Sequence, residues 1–373
     1  MSSSAIIYDR QIRLWGLQTQ SKILKSKVFL FGYHSGLLEE LAKDLVLTGV
    51  GTLVIGKYSE YTETSGQPKF VTYLGHDLEE LVKALSVLNP RAQIQTVNTF
   101  VEKHFSEKVE EQNDIQIVSR LIETKSFEIC CLICERIGCP VAFALNRICR
   151  DNNTLFVYAE VIGALGFLIL DLGSHYTYHY LNKSSKRASR LRSTNRNEVI
   201  ALDDSDSDSA QVDNHSYSMS IENERTLEYP TLEQVLSNIR QSPYPLYFSF
   251  LAFVRRWKEE YCMTSQDCLE DRQRQFEMFL QLHKIDIKKS ELQSSYNFCS
   301  FMNVELISVS SCLAGVLGRE IVKLISRNEK PIFNTFIFDA FSCLGSIVYI
   351  PSTKVDRKRS REDEKEDSTV YDI

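Results

Sequence analysis

Four short stretches of this chain carry residue types that could do chemistry. The first is Gly32-Tyr33-His34-Ser35-Gly36-Leu37-Leu38, which follows the apolar run Val28-Phe29-Leu30-Phe31. Strand, glycine-bearing turn and helix in that order make the place where backbone N–H groups at a helix N-terminus can hold a phosphate. Such a loop needs glycines for the tight turn and for close approach of backbone to phosphate, yet here the middle and third glycine positions are bulky or polar. The second strand of such a unit normally ends in an acidic residue that binds the ribose hydroxyls; this one ends Ile55-Gly56-Lys57. Both halves of a nucleotide site are degraded, so no cofactor is expected on this chain alone. The second stretch is Cys131 and Cys134, a CxxC with Cys130, Cys139 and Cys149 nearby. A structural zinc site needs a second pair at comparable spacing, and none exists, so no metal is expected.

The third stretch is Val199-Ile200-Ala201-Leu202, followed by Asp203-Asp204-Ser205-Asp206-Ser207-Asp208-Ser209. A short aliphatic segment can add to the edge of a partner's sheet while an acidic run meets a basic rim. Phosphorylated serines between the aspartates would strengthen that rim; chance hydrophobicity in a linker is the plainer alternative. The fourth is Arg357-Lys358-Arg359-Ser360-Arg361, which reads as a nuclear localisation signal or, given the acidic residues after it, as a solvated charge run.

These stretches need a scaffold, and the composition supplies one. The 373 residues are 43% hydrophobic and 25% charged, enough to bury a full core. A net charge of -6 argues against general nucleic-acid binding, which needs a basic footprint. No apolar run reaches the roughly eighteen residues of a membrane span, and Met1 to Ala5 lacks a charged-then-apolar signal, so nucleus and cytosol are the expected locations. The ten cysteines sit largely in apolar contexts and read as reduced, buried small hydrophobes.

Periodicity gives the order of elements. An amphipathic opening from Tyr8 to Lys25 precedes the first strand. Leu37, Leu38, Leu41, Leu45 and Val46 then fall at helical spacing, Gly49 and Gly51 end that helix, and Thr52 to Ile55 is the next strand. This βαβ unit is the building block of a parallel doubly wound sheet. Further units follow: a helix over 77–88, strands near 94–97 and 129–133, a helix over 141–150 and a strand over 155–161. From Lys183 a basic, serine-rich stretch gives way to the acidic one, with nothing to bury. The expected organisation is therefore a Rossmann-like domain in two parts, 1–182 and 226–353, interrupted by a disordered insertion at 183–225 and followed by a charged tail at 354–373. In the second part, helices are expected over 231–239, 245–261 and 312–325, and closing strands over 335–338 and 346–350.

The opening Tyr8-Asp9-Arg10-Gln11-Ile12-Arg13-Leu14-Trp15-Gly16, the unit ending Leu47-Thr48-Gly49-Val50-Gly51, Asn89-Pro90, the helix Leu313 to Lys323 and the strand Phe336-Ile337-Phe338-Asp339 resemble the ThiF-type adenylation domains of enzymes that activate ubiquitin-like proteins. Those enzymes pair a catalytic adenylation domain with an inactive twin. The catalytic twin carries a glycine-rich loop, an acidic ribose ligand, an Asn/Arg nucleotide motif, a cysteine domain and often zinc ligands. This sequence departs from each, so it is similar to the inactive twin, and no thioester cysteine is expected in it. The resemblance implies a heterodimer with a catalytic subunit that binds ATP and magnesium and adenylates the modifier's C-terminal glycine. It also implies a role for Arg10, reaching in trans to the partner's ATP phosphates as a permanently charged planar fork. Without the resemblance Arg10 reads as a surface arginine on an amphipathic helix. Arg13, one turn on, reads as structural or dimer-facing. Chain length points to SUMO as the modifier, with the neddylation counterpart as the alternative, and Val199–Leu202 then reads as a SUMO-interacting motif. The rivals are a nucleotide-dependent oxidoreductase on the same sheet and a scaffold in which Arg10 is dispensable.

Overall fold

The run Val28–Phe31 forms the middle of β1 (Lys27–Gly32), and successive side chains leave it on opposite faces: Phe29 and Phe31 join one core, Val28 and Leu30 the other. A strand covered on both sides has no polar face, which is why the run is apolar without alternation. β2 (Thr52–Lys57), β4 (Ile129–Ile133) and β5 (Leu155–Ile162) divide their side chains the same way. The computed structural model describes residues 7–57, 78–98, 107–133, 140–180, 223–238, 244–261, 268–350 and 371–372.

With β3 (Gln93–Asn98), these strands pair in parallel in the order β3-β2-β1-β4-β5. The chain runs outward from β1 to β3 and returns to β4 on the other side of β1. A crevice at the carboxyl ends of β1 and β4 is the consequence, the place where doubly wound sheets bind their ligands. Beyond β5 the sheet continues through β6 (Leu165–Asp171), β9 (Thr335–Asp339), β10 (Leu344–Val348) and β11 (Tyr371–Asp372), each antiparallel to the strand before it. The expected Rossmann-like sheet is present, with an antiparallel extension.

One core packs α3 (Gly36–Thr48), α4 (Leu78–Leu88) and α11 (Ile307–Ser326) on the sheet. The other packs α5 (Glu107–Lys125), α6 (Pro140–Asp151), α7 (Leu232–Ser237), α8 (Pro245–Tyr261), α9 (Leu269–Leu282) and α10 (Lys289–Phe301). Periodicity did not reveal α5, α9 or α10. Rings hold the last two to α8: Phe253 and Phe276 lie 5.1 Å apart between centroids, and Phe250 and Phe298 lie 5.6 Å apart. Aromatic pairs of this kind add to burial and order segments whose own pattern is weak. No helix among the described residues is long and apolar enough to cross a membrane.

A separate ribbon of β7 (Tyr176–Tyr180) and β8 (Asn223–Leu227) pairs antiparallel, with Tyr180 opposite Asn223. Residues 223–225, expected to end the insertion, thus belong to a strand. Pairing with β7 satisfies their backbone groups and orders a segment that has no apolar pattern. The ribbon's base is fixed to the body. Arg150 donates two hydrogen bonds to the Asp171 carboxylate at 2.7 and 2.8 Å, Asn146 donates a third at 2.8 Å, and Leu232 N–H returns to Asn146 at 3.1 Å.

Candidate functional site

At the carboxyl end of β1, Gly32 lies so close to β4 that a Cβ there would fall 1.8 Å from the Ile133 carbonyl oxygen. The first glycine of the loop is thus required by strand packing. Tyr33 N–H donates to that same carbonyl at 3.3 Å. His34 turns back along α3, its Nε2 2.8 Å from the buried Glu39 carboxylate. Ser35 caps α3, its Oγ accepting from Leu38 N–H at 3.2 Å.

The remaining N–H groups at this helix start decide whether a phosphate fits. Gly36 N–H donates to Glu305 Oε2 at 3.2 Å and Leu37 N–H to Glu305 Oε1 at 2.7 Å, while Ser310 Oγ donates to Oε1 at 2.6 Å. Glu39 N–H makes the ordinary helical bond to the Ser35 carbonyl. Every N–H of the first turn therefore has a partner inside the chain. A nucleotide phosphate needs those donors free and no carboxylate among them. The described residues at this helix start do not fit a phosphate, and the Glu305 carboxylate, 7% exposed, takes two of its donors. No sequence pattern marked Glu305: it ends a loop before an apolar helix, 268 positions from Leu37.

The other chemistry-bearing element is α1 (Asp9–Trp15), which has no buried residue. Its position is set by what flanks it. Tyr8 is buried against Gly49, where a Cβ would meet the tyrosine ring at 2.7 Å and where φ is +91°, a conformation glycine adopts without strain. Asn89 Nδ2 donates to Tyr8 Oη at 2.9 Å and to the Val46 carbonyl at 2.8 Å. At the far end Trp15 Nε1 donates to Gln20 Oε1 at 2.9 Å, and Gln20 Nε2 to the Thr48 carbonyl at 3.0 Å. Gln20 belongs to α2 (Leu17–Ile23). The opening nonapeptide, Gly49 and Asn89, which the sequence presents as separate marks, are one contact cluster. Between its two anchors Arg10 is exposed to solvent. Arg13 forms a surface ion pair with Asp9 at 2.9 Å, an arrangement of small energetic weight.

Among the cysteines, Cys130, Cys131 and Cys149 are buried. Burial pushes the Cys131 and Cys149 thiols well above their ordinary range, and neighbouring Cys130 adds to both. They are protonated thiols in a core and not nucleophiles. Cys134 lies outside the described residues, as do Val199, Ile200, Ala201 and Leu202, and Arg357, Lys358, Arg359 and Arg361. Among the described residues no group of three or more His, Cys, Asp or Glu side chains could hold a metal ion.

A doubly wound sheet whose first crevice helix has its N–H groups bonded from within the chain, preceded by an anchored helix that carries an exposed arginine, defines an adenylation-type fold without a nucleotide-ready loop. The chain belongs to the ThiF family, which matches it over residues 8–359. It is similar to SUMO-activating enzyme subunit 1 of Danio rerio, with 27% identity over 92% of this chain and 94% of that one. The same protein of Xenopus tropicalis is 26% identical over 91% and 95% of the two chains, and that of Homo sapiens 23% over 91% and 94%.

Proposed function

We propose that this chain is the non-catalytic subunit of a heterodimeric SUMO-activating enzyme, and that it supports ATP-dependent adenylation of the modifier's C-terminal glycine and thioester formation on the catalytic subunit. The observation that carries the reading is the internal use of every first-turn N–H of α3, which leaves no donor at that helix start for a phosphate and supports a reading in which a partner holds the nucleotide. End-to-end similarity to SUMO-activating enzyme subunit 1 supports the choice of pathway over the neddylation and oxidoreductase alternatives.

ATP and magnesium belong, in this reading, to the partner's site. This chain's contribution is Arg10. A guanidinium keeps its charge at all working pH values and presents a flat fork of donors. Placed beside the partner's ATP phosphates, it stabilises charge that builds on the departing pyrophosphate. The exposed apolar residues Ile7, Leu14 and Leu17 on the same arm suit a surface covered by another subunit. Val199–Leu202 would engage SUMO by strand addition, and Arg357, Lys358, Arg359 and Arg361 would direct the chain to the nucleus.

The test is pyrophosphate exchange. The purified chain alone should show none with SUMO; mixed with a SUMO-activating catalytic subunit it should form a stable complex that exchanges. Exchange by the single chain, or failure to associate, would sink the reading.

A further inference from the structure

We infer that Glu305 is a resident anion that occupies the phosphate position of the crevice, so that this chain excludes nucleotide by filling its own site and not only by a loop without glycine at its middle and third positions. The inference stands on the geometry of this chain and does not depend on the SUMO assignment.

A carboxylate taken out of water is costly unless donors replace the water. Glu305 has such replacements: two backbone N–H groups at the start of α3 and the Ser310 hydroxyl. Those N–H groups carry the positive end of the helix dipole, and anions settle there. The carboxylate sits where a phosphate oxygen would sit, and on the same donors. It is delivered by a segment with its own anchors. Gly163 N–H donates to the Val304 carbonyl at 3.0 Å, Gly163 and Glu305 form a parallel bridge, and Ala340 N–H donates to the Ala164 carbonyl at 2.9 Å. The turn between β5 and β6 thereby holds Glu305 over the crevice. Packing at Gly36 closes the remaining space, since a Cβ there would meet Ile307 at 2.7 Å and Glu305 Oε1 at 3.1 Å. A nucleotide could enter only after the carboxylate left, which exposes two N–H groups and breaks the Ser310 bond.

The experiment uses the full chain and inorganic phosphate as the probe, with chloride at matched ionic strength as control. Wild type should show only the gradual, non-saturating rise that an excluded anion such as phosphate gives any folded protein. Glu305→Ala should melt at least about 4 °C lower in chloride and recover part of that loss in phosphate, saturating with concentration, because the freed donors accept the added anion. Glu305→Gln keeps the side chain's bulk but points an amide at two donors; it should lose stability and gain no response to phosphate. Amide exchange at Gly36 and Leu37 should quicken in both variants. Wild-type stability in Glu305→Gln, an equal phosphate response in wild type and Glu305→Ala, or no response in a folded Glu305→Ala overturns the inference. If Glu305→Ala does not fold, the melting temperature and amide exchange of Glu305→Gln decide it.

Discussion

α1 and the crevice at the end of β1 stand at opposite extremes of burial. α1 has no buried residue and places Leu14 at 78% exposure, whereas the loop at the crevice has every first-turn N–H bonded and a carboxylate in its mouth. Both lie in a fold that ordinarily binds nucleotide through its crevice. The contrast teaches that a degraded loop need not be an empty one: the Glu305 carboxylate takes up the N–H groups of Gly36 and Leu37, and the helix start is bonded into the core. The arm, by contrast, is anchored at its two ends, through Tyr8 and Trp15. An element that makes few contacts within its own chain has surface left for another.

The largest effect should come from breaking the crevice side. Gly32→Ala puts a methyl against the Ile133 carbonyl, a backbone group that cannot swing aside, so β1 and β4 must separate. The expected loss exceeds about 3 kcal/mol, read as a lowered melting temperature or insoluble protein; a soluble variant with wild-type melting would remove the packing role assigned to Gly32.

On the arm, Arg10→Ala should leave folding and assembly unchanged, because the side chain is exposed, yet slow pyrophosphate exchange by the heterodimer roughly a hundredfold, about 3 kcal/mol in the barrier. Arg10→Lys should restore part of it, since an ammonium keeps the charge and loses the fork. Exchange within twofold of wild type in the alanine variant would favour the scaffold reading.

Tyr8→Phe joins the two regions at smaller scale. It removes the hydroxyl that accepts from Asn89 while Asn89 keeps its bond to the Val46 carbonyl, so a loss of about 1 kcal/mol is expected. If the anchor matters for Arg10, exchange by the heterodimer falls with it; an unchanged rate alongside lowered stability separates anchoring from catalysis.

The smallest effect should follow replacement of residues 181–222 by an Asn-Gly turn. Tyr180 and Asn223 are already paired, and a two-residue turn suits an antiparallel ribbon. Stability should stay level or rise slightly, because a shorter loop costs less to close, and adenylation should persist. Binding of free SUMO, measured by chemical-shift titration, should weaken if Val199–Leu202 is the contact.

How much of this was legible in the sequence follows from the range of each signal. Val28–Phe31, Thr52–Ile55 and Ile129–Ile133 are apolar without alternation, and Leu37, Leu41 and Leu45 recur at helical spacing, so the parallel half was readable from local pattern. The lack of glycine at the middle and third positions of the loop pattern and of an acidic residue after Ile55 was equally plain, as was the change of composition at Lys183. In the antiparallel extension the strands β9 and β10 were expected, but β6 and the antiparallel sense were not: β6 is as apolar as a parallel strand because it too is covered on both faces. Nor were α5 and α9. In α9, Phe276 and Leu280 are the buried residues, and the rings of α8 and α10 supply the order that its own pattern lacks. Above all, the sequence by itself determined that the nucleotide loop is degraded, and only the tertiary structure decided what took its place. Local periodicity reports which face of an element is buried. A carboxylate's donors are chosen by geometry among groups far apart in the chain, so the meeting of Glu305 with Gly36 and Leu37, and of Tyr8 with Gly49 and Asn89, exists only once the sheet has brought them together.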